Sequence, residues 1–564
     1  LTEIQFNTYY RYDAITQFLQ EWAAKYPDLC RLESLGKSHE GRDIWIVTLT
    51  QIETGLDKEK PAYWIDANIH ATEVAPASAA LYLINKLLQG YGQDDRLTYL
   101  LDSRVFYIVP RLNPDGAEVA LSDRPKFIRS STRPYPREDT LDGLHQEDID
   151  GDGRILQMRL KDSNGAWKAH PDEPRFLVRR EPDDIPGGDY YRLLTEGRIQ
   201  NYDGVLIDIA PTLEGLDLNR NFPVHWVPNQ RGAGPYPTSE PEIRAAVQFI
   251  ADHPNITGAI TFHTFSGVHL RPLSGSPDDD MPTQDLQTYK VIGKKGEELT
   301  GYPAVSVYHD FKYDPKDFIK GTFDDWMYEH LGLYAWTTEI WSPQRQAGVE
   351  VKKAIEWFNE HPVEEDLKIY RWLVEETAPD DRPDGYVDWY PYDHPELGPV
   401  ELGGWDNMYT WRNPPPHLLE KEIAPLADFA IFNCLISPRL EIHSLTAEPR
   451  GDEHYYIRLV LHNTGWLPTN VSEQALKMKV VREVEVDLAL PDGAELISGK
   501  LKTMCGQLQG RDNKIALSIW VSDATKERAK VEWVIHAPNG GEVGVTAVHQ
   551  RAGTVRAVVD LDEL

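Results

Sequence analysis

The sequence predicts an α/β layer built on a mostly parallel or mixed sheet, followed by an all-β sandwich. Short apolar runs alternate with stretches of helical periodicity through the first part of the chain. From about Pro438 onward the pattern becomes short alternating runs separated by Asn-Thr-Gly, Pro-Asp-Gly and Asn-Gly-Gly turn signals. At 564 residues the chain exceeds one ordinary domain, and the change of pattern divides it into 1–435 and 436–564.

Residues 8 to 27 predict an amphipathic helix, because Tyr12, Ile15, Phe18, Leu19 and Trp22 recur at three- and four-residue spacing. Strands are predicted at Ile44–Leu49, Tyr63–Ile69 and Val105–Val109, with a helix from Pro76 following the second. A further apolar run from Gly258 ends at His263, and another, Tyr334–Trp341, contains Glu339. After Ile369 comes an extension rich in Trp, Tyr and Pro, from Asp384 to Pro416, and then a helical stretch, Leu418–Leu435. In the sandwich the strand-like runs are Tyr455–Leu461, Lys477–Val486, Lys514–Val521, Lys530–His536 and Thr546–Ala552.

Composition excludes several function classes. With 58 basic against 90 acidic residues the formal charge is -32, which argues against nucleic acid or an anionic membrane surface as partner. A hydrophobic content of 41% with periodic segments describes a globular chain. No apolar stretch approaches the roughly 18 residues of a membrane span. Cys30, Cys434 and Cys505 are too few and scattered for a disulfide framework, which leans towards a reducing compartment, cytoplasmic in preference to exported. The chain opens at Leu1-Thr2-Glu3, so a removed signal stays open, and composition says nothing of oligomeric state.

The chemistry is concentrated in three separated pieces. His70 and Glu73 follow the end of a predicted buried strand, where a turn aims an imidazole and a carboxylate at one point. His263 ends another strand. Two His and one carboxylate make the protein ligand set of a catalytic zinc with an open position for water. Glu339, near the end of a third apolar run, is the base that accepts the proton of that water.

Around these residues stand motifs in a recognisable order. Leu35 to Arg42 contains Gly-Lys-Ser-His-Glu-Gly-Arg, and Asn113 to Gly116 reads Asn-Pro-Asp-Gly. Leu218 to Phe222 reads Leu-Asn-Arg-Asn-Phe, and His263 is followed by Thr264-Phe265-Ser266. Gly321 to Trp326 lies a short way before Glu339. In these motifs the chain resembles the zinc carboxypeptidases of the pancreatic carboxypeptidase A type, the M14 family, over roughly residues 7 to 376. The resemblance implies that family's mixed-sheet, phosphorylase/hydrolase-like fold and removal of the C-terminal residue from peptides bearing a free carboxylate. It implies one Zn2+ on His70, Glu73 and His263, and Glu339 as the base. Arg129 becomes the donor to the oxyanion, with Arg133 in reserve, and Asn219 and Arg220 become the carboxylate-binding pair. The family's mobile tyrosine would fall at Asp317, a departure that leaves Tyr313 or Tyr308 to supply the phenol. Asp324 aligns with the floor of the specificity pocket, which predicts a preference for C-terminal Lys or Arg.

Against that family the chain carries an insertion at roughly 130 to 205, polar and rich in Pro, Asp and Arg, expected as a surface excursion near the rim of the site. Within it Asp148, Asp150 and Asp152 alternate ahead of Gly153. They resemble the first half of a calcium loop, with Asp162 or Asp172 needed to close it. A tight Asp/Gly turn without metal is the other reading. Two functional alternatives accompany peptidase action: a related zinc amidase on cell-wall, γ-glutamyl or N-acyl amino acid substrates, and an inactive zinc-binding or adhesion module.

Overall fold

A computed structural model of the chain describes residues 3–314, 316–377, 385–512, 519 and 522–564. At its centre is an eight-stranded mixed sheet. Its strands are β1 (Cys30–Lys37), β2 (Asp43–Leu49), β3 (Ala62–Ala67), β4 (Val105–Val109), β5 (Ile256–Thr264), β6 (Val268–Arg271), β7 (Ala304–Ser306) and β8 (Tyr334–Ile340). The spatial order is β1-β2-β4-β3-β5-β8-β6-β7. The middle strands β4, β3, β5 and β8 run parallel, and β2 and β6 join them antiparallel. Every residue of these four middle strands is buried, as a sheet covered on both faces requires.

Period-two alternation sorts the side chains into two cores. Tyr63, Ile65 and Ala67 enter one core, where α1 (Tyr12–Lys25), α2 (Ala75–Gly90), α3 (Thr283–Thr300) and α4 (Pro416–Leu435) pack. Ala62 and Trp64 enter the other, shared with Ile243 and Ile250 of the helix Pro241–Ala251. The predicted helix at the N-terminus is α1, and it buries Ile15, Phe18, Leu19 and Trp22 as its spacing requires. Among the described residues no helix is long and apolar enough to cross a membrane.

The insertion is more than a surface excursion. Its strands Gln157–Lys161 and Tyr190–Thr195 pair with each other, and Gly398–Trp405 of the extension pairs with the first of them. The two segments thus share one six-stranded sheet. Leu144, Met158, Val400 and Leu402 form its small core. Polar composition concealed this because each strand is short and only one face is buried.

The C-terminal region holds two four-stranded antiparallel sheets packed around Ile457, Leu459, Val486, Trp533 and Val545. The runs predicted at Tyr455–Leu461 and Lys530–His536 fall within strands His454–Asn463 and Arg528–His536. Lys477–Val486 is not one strand: Glu473–Met478 is a helix and the strand is Glu485–Ala489. The Ser472 hydroxyl caps that helix by accepting from the Ala475 amide, a local competition that alternation alone does not register. The run at Lys514–Val521 lies outside the described residues, Ile519 excepted. The sandwich is tied to the sheet layer through buried Asp285. Its carboxylate accepts the Tyr328 and Tyr334 hydroxyls and the backbone amides of Glu473 and Gln474.

Candidate metal centre

The loop after β3 is shaped by asparagine side chains. Asn68 turns the chain at φ 58°. Its side-chain amide donates to the carbonyls of His70 and Glu73, both at 2.7 Å, and its oxygen accepts from Arg111 Nε at 2.9 Å. Asn113 Nδ2 donates to the Ile69 carbonyl. A Cβ on Gly116 would lie 2.2 Å from the Ser130 carbonyl oxygen and 2.8 Å from Ala71 Cβ, so only glycine permits this approach. Asp115 accepts from Ser38 Oγ, the Glu40 amide and Arg42 Nη1. Two of the sequence motifs are therefore scaffolding for the loop that carries His70 and Glu73.

β5 supplies His263, and its register with β8 sets His263 directly beside Glu339. His70 Nδ1 lies 2.9 Å from Glu73 Oε1 and 3.1 Å from His263 Nδ1, which is itself 3.3 Å from Glu73 Oε2. All three side chains are buried, and their ligand atoms lie within 4.8 Å of one another. Both ring nitrogens of His70 face carboxylates. Nε2 faces Asp217 Oδ1 at 3.1 Å and Nδ1 faces Glu73 Oε1 at 2.9 Å; with a cation in the cluster, Nε2 would carry the proton to Asp217 and Nδ1 would offer its lone pair. That nitrogen meets a carboxylate oxygen and a second imidazole nitrogen, an arrangement satisfied by a cation. The residues fit zinc, with a carboxylate fixing the orientation of His70 from behind.

The charges respond accordingly. Burial pushes the Glu73 carboxyl up, and the charges and hydrogen bonds of His70 and His263 outweigh it, holding it well below its ordinary range. Burial lowers His263. Glu339 is 9% exposed, and its Oε2 is buried without a hydrogen-bond partner. Burial and the charge of Glu73 raise it well above an ordinary carboxyl, against the pull of Arg129 and Arg412.

Arg129 reaches the cluster: Nη1 is 3.1 Å from Glu73 Oε1 and Nε 3.0 Å from Asp217 Oδ2. Arg133 is turned away and pairs with Glu240 at 2.6 Å. Burial disfavours the charge of Arg129, but Asp217 and Glu73 raise its pKa above the usual arginine value. Asn219 accepts the Phe323 amide, and Arg220 Nη1 donates to the Asn219 carbonyl. A Cβ on Gly321 (φ 68°) would lie 2.3 Å from the Arg220 carbonyl oxygen, so Gly321 and the Asn219–Arg220 segment are pressed together. Arg129, Asp217, Arg220, Tyr313 and Phe318 line a cleft of about 570 Å³. Tyr313 is 57% exposed by surface, but its phenol is enclosed by surrounding atoms and Glu339, which push it up to about 12. Tyr308 packs against His309 and Lys312 instead. Asp324 is 4% exposed and adds to the negative charge felt by Glu339, but it does not line the cleft.

The second acidic group differs from its expected composition. Asp148 and Asp150 converge with Glu196, not with Asp152, which pairs with Arg154 at 2.7 Å. Asp162 pairs with Arg192, and the Asp172 amide donates to His170. A cavity of about 750 Å³ borders Asp148 and Asp150, away from the His70 cluster. Asp217, Glu196 and Arg412 escaped the sequence reading: each is a lone charged residue whose partners are distant in the chain.

The family model described as zinc carboxypeptidase matches residues 15–361, and a model described as a domain of unknown function matches 439–560. Carboxypeptidase B of Astacus astacus is 25% identical over 345 residues, covering 60% of this chain and 88% of that protein. Carboxypeptidase A2 of Mus musculus is 25% identical over 358 residues, 60% of this chain and 64% of that protein. Among solved structures, carboxypeptidase A from Helicoverpa armigera aligns at 20% identity over 60% of this chain and 66% of that one, with a TM-score of 0.39.

Proposed function

Because the chain belongs to the zinc carboxypeptidase family, and so hydrolyses peptide bonds, we propose that it releases C-terminal residues from peptides and prefers basic ones. The observation that supports this most directly is the convergence of His70 Nδ1, His263 Nδ1 and the Glu73 carboxylate, with Glu339 one strand away. His70, Glu73 and His263 would hold the zinc. Bound there, zinc supplies a Lewis acid that polarises a carbonyl and acidifies water. Glu339 takes the proton of the attacking water and hands it to the leaving amine.

Arg129 donates to the oxyanion that develops at the scissile carbonyl, and Asp217 keeps its guanidinium aimed there. Arg220 and Asn219 receive the free carboxylate of the substrate, where a planar guanidinium makes two parallel hydrogen bonds. Tyr313 covers that end of the cleft. Asp324, buried and outside the lining of the cleft, would select a C-terminal Lys or Arg where that side chain reaches past the lining to cancel its charge. The carboxylates of the insertion stay outside this reading, because their oxygens already serve its own turn.

A panel of peptides differing only in the C-terminal residue tests the proposal. Hydrolysis should stop with a chelator, return with zinc, and run faster on Lys and Arg than on Leu and Phe. Separating a desolvated charge pair costs about 3–5 kcal/mol, so Asp324→Ile should lower the Lys/Leu ratio of kcat/KM by at least about a hundredfold. A change smaller than about threefold assigns Asp324 to the structure of its loop.

A further inference from the structure

Arg412 belongs to the extension, outside the 15–361 stretch that matches the family model, yet its guanidinium reaches the metal centre. Nη1 stands 3.8 Å from Glu73 Oε1, and the guanidinium lies 5.3 Å from the centre of the Phe265 ring. No hydrogen bond joins it to another described residue. Glu73 is already engaged by His70, His263 and Arg129, so it cannot serve as the dedicated partner of Arg412.

The segment is held firmly to the loop it serves. Trp341 Nε1 donates to the Thr410 carbonyl at 2.7 Å. Asn413 Oδ1 accepts both the Val74 and Ala75 amides at 2.9 Å, and its Nδ2 donates to the Thr72 carbonyl at 2.8 Å. The N-cap residue of α2, Val74, offers no side-chain cap, so Asn413 supplies the cap from a distant part of the chain. The residue that caps the helix after Glu73 thus fixes the guanidinium beside Glu73.

Arg412 opens onto a cleft of about 280 Å³ lined also by Thr72, Phe127, Arg129, Gln146 and Met408. Two arginines and no carboxylate line it, in a chain whose formal charge is -32. Arg129 lines this cleft and the larger one that contains Arg220. With Arg129 at the scissile bond and Arg220 at the C-terminal carboxylate, as proposed above, the acyl portion of a substrate would run towards Arg412.

We propose that Arg412 is a specificity-determining residue of the acyl-side subsite, selecting peptides with an acidic side chain on the residue preceding the scissile bond. Arg129 is already paired with Asp217 and Glu73, whereas Arg412 has only the shared Glu73 at 3.8 Å, so a planar carboxylate entering this carboxylate-free cleft accepts from Arg412. The inference rests on the carboxypeptidase reading given above.

The test uses N-acylated dipeptides, acyl-X-Lys and acyl-X-Leu, in which X is Glu, Gln or Ala, with the full-length zinc enzyme. The wild type should favour Glu over its isostere Gln by about tenfold in kcat/KM, the scale of one charge-assisted hydrogen bond. Arg412→Gln should bring that ratio below about twofold, with zinc content and the C-terminal Lys/Leu ratio unchanged, and Arg412→Lys should keep part of the preference. A Glu/Gln ratio near one in the wild type, or one unmoved in Arg412→Gln, overturns the assignment. Failure of the wild type to cleave any of these substrates removes the carboxypeptidase reading itself, and the subsite with it.

Discussion

The two candidate metal clusters, one of His70, Glu73 and His263 and the other of Asp148, Asp150 and Glu196, differ in residue type and in what their oxygen and nitrogen atoms already touch. In the insertion the Asp148 oxygens accept the amides of Gly151 and Gly153, and Asp150 accepts the Asp152 amide and the Tyr390 hydroxyl. Glu196 accepts the amides of Ile149 and Leu156, each at 2.8 Å. Most of these carboxylate oxygens thus already accept a hydrogen bond from their own turn. At the strand ends Asn68 and Asn113 satisfy much of the loop backbone, and although Glu73 also accepts the Thr264 amide, it converges with the two imidazoles of His70 and His263. Two imidazoles beside one carboxylate suit zinc, whereas three carboxylates on one turn do not offer that donor set.

The sharpest break of this contrast is removal of a ligand. Ala at His70, Glu73 or His263 should abolish both stoichiometric zinc and turnover, and zinc retained in His263→Ala would overturn the ligand set. Glu339→Gln should keep its zinc while turnover drops by a factor on the order of 10² or more. Metal analysis beside kcat separates the two outcomes.

A smaller effect is expected one step back from the ligands. Asp217 orients both His70 and Arg129, so Asp217→Ala should weaken zinc by about 10–100-fold in competition with a chelator. An unchanged affinity would mean that the His70 ring is held by packing alone.

The insertion offers a pH test of the opposite arrangement. Burial, with Asp150 and Asp148 nearby, pushes the Glu196 carboxyl from 4.5 up to about 7, against the two amides that lower it. Between these values the folded insertion binds more protons than the unfolded chain. The contribution of Glu196 to stability is therefore fully present below 4.5 and is lost as pH rises through about 7. Amide protection at Ile149 and Leu156, corrected for intrinsic exchange, should fall over that window, and Glu196→Gln should flatten the dependence.

Calcium should change least. With the carboxylates occupied by the turn, millimolar calcium should move the melting temperature by less than about 1 °C. A rise of several degrees that Asp150→Ala erases would place a cation site in the insertion and break the contrast.

Much of the site was legible because its chemistry sits at the ends of strongly apolar strands. His70, Glu73, His263 and Glu339 stand out from such runs, and Asn113 and Gly116 mark turns whose geometry admits little else. Arg129 was legible only by its distance from Asn113, and Arg133 was equally eligible until the structure paired it with Glu240. Asp217 gave no signal: one Asp in a polar stretch is common, and its importance lies in facing His70. The strand expected across Lys477–Val486 failed for a local reason, since a serine cap diverts its first part into a helix.

The sequence by itself determined the middle strands of the sheet, the candidate ligands at their C-terminal ends and the change to a β-sandwich. Each of these depends on periodicity or on a short motif, and such information is local. Tertiary structure alone decided that the insertion and the extension share a sheet, that Glu196 and not Asp152 joins Asp148 and Asp150, and that Arg412 comes to stand beside Glu73. These are pairings between charges or strands far apart in the chain. A single charged residue is compatible with many partners, and only the packed sheet layer, by fixing which ends meet, selects one.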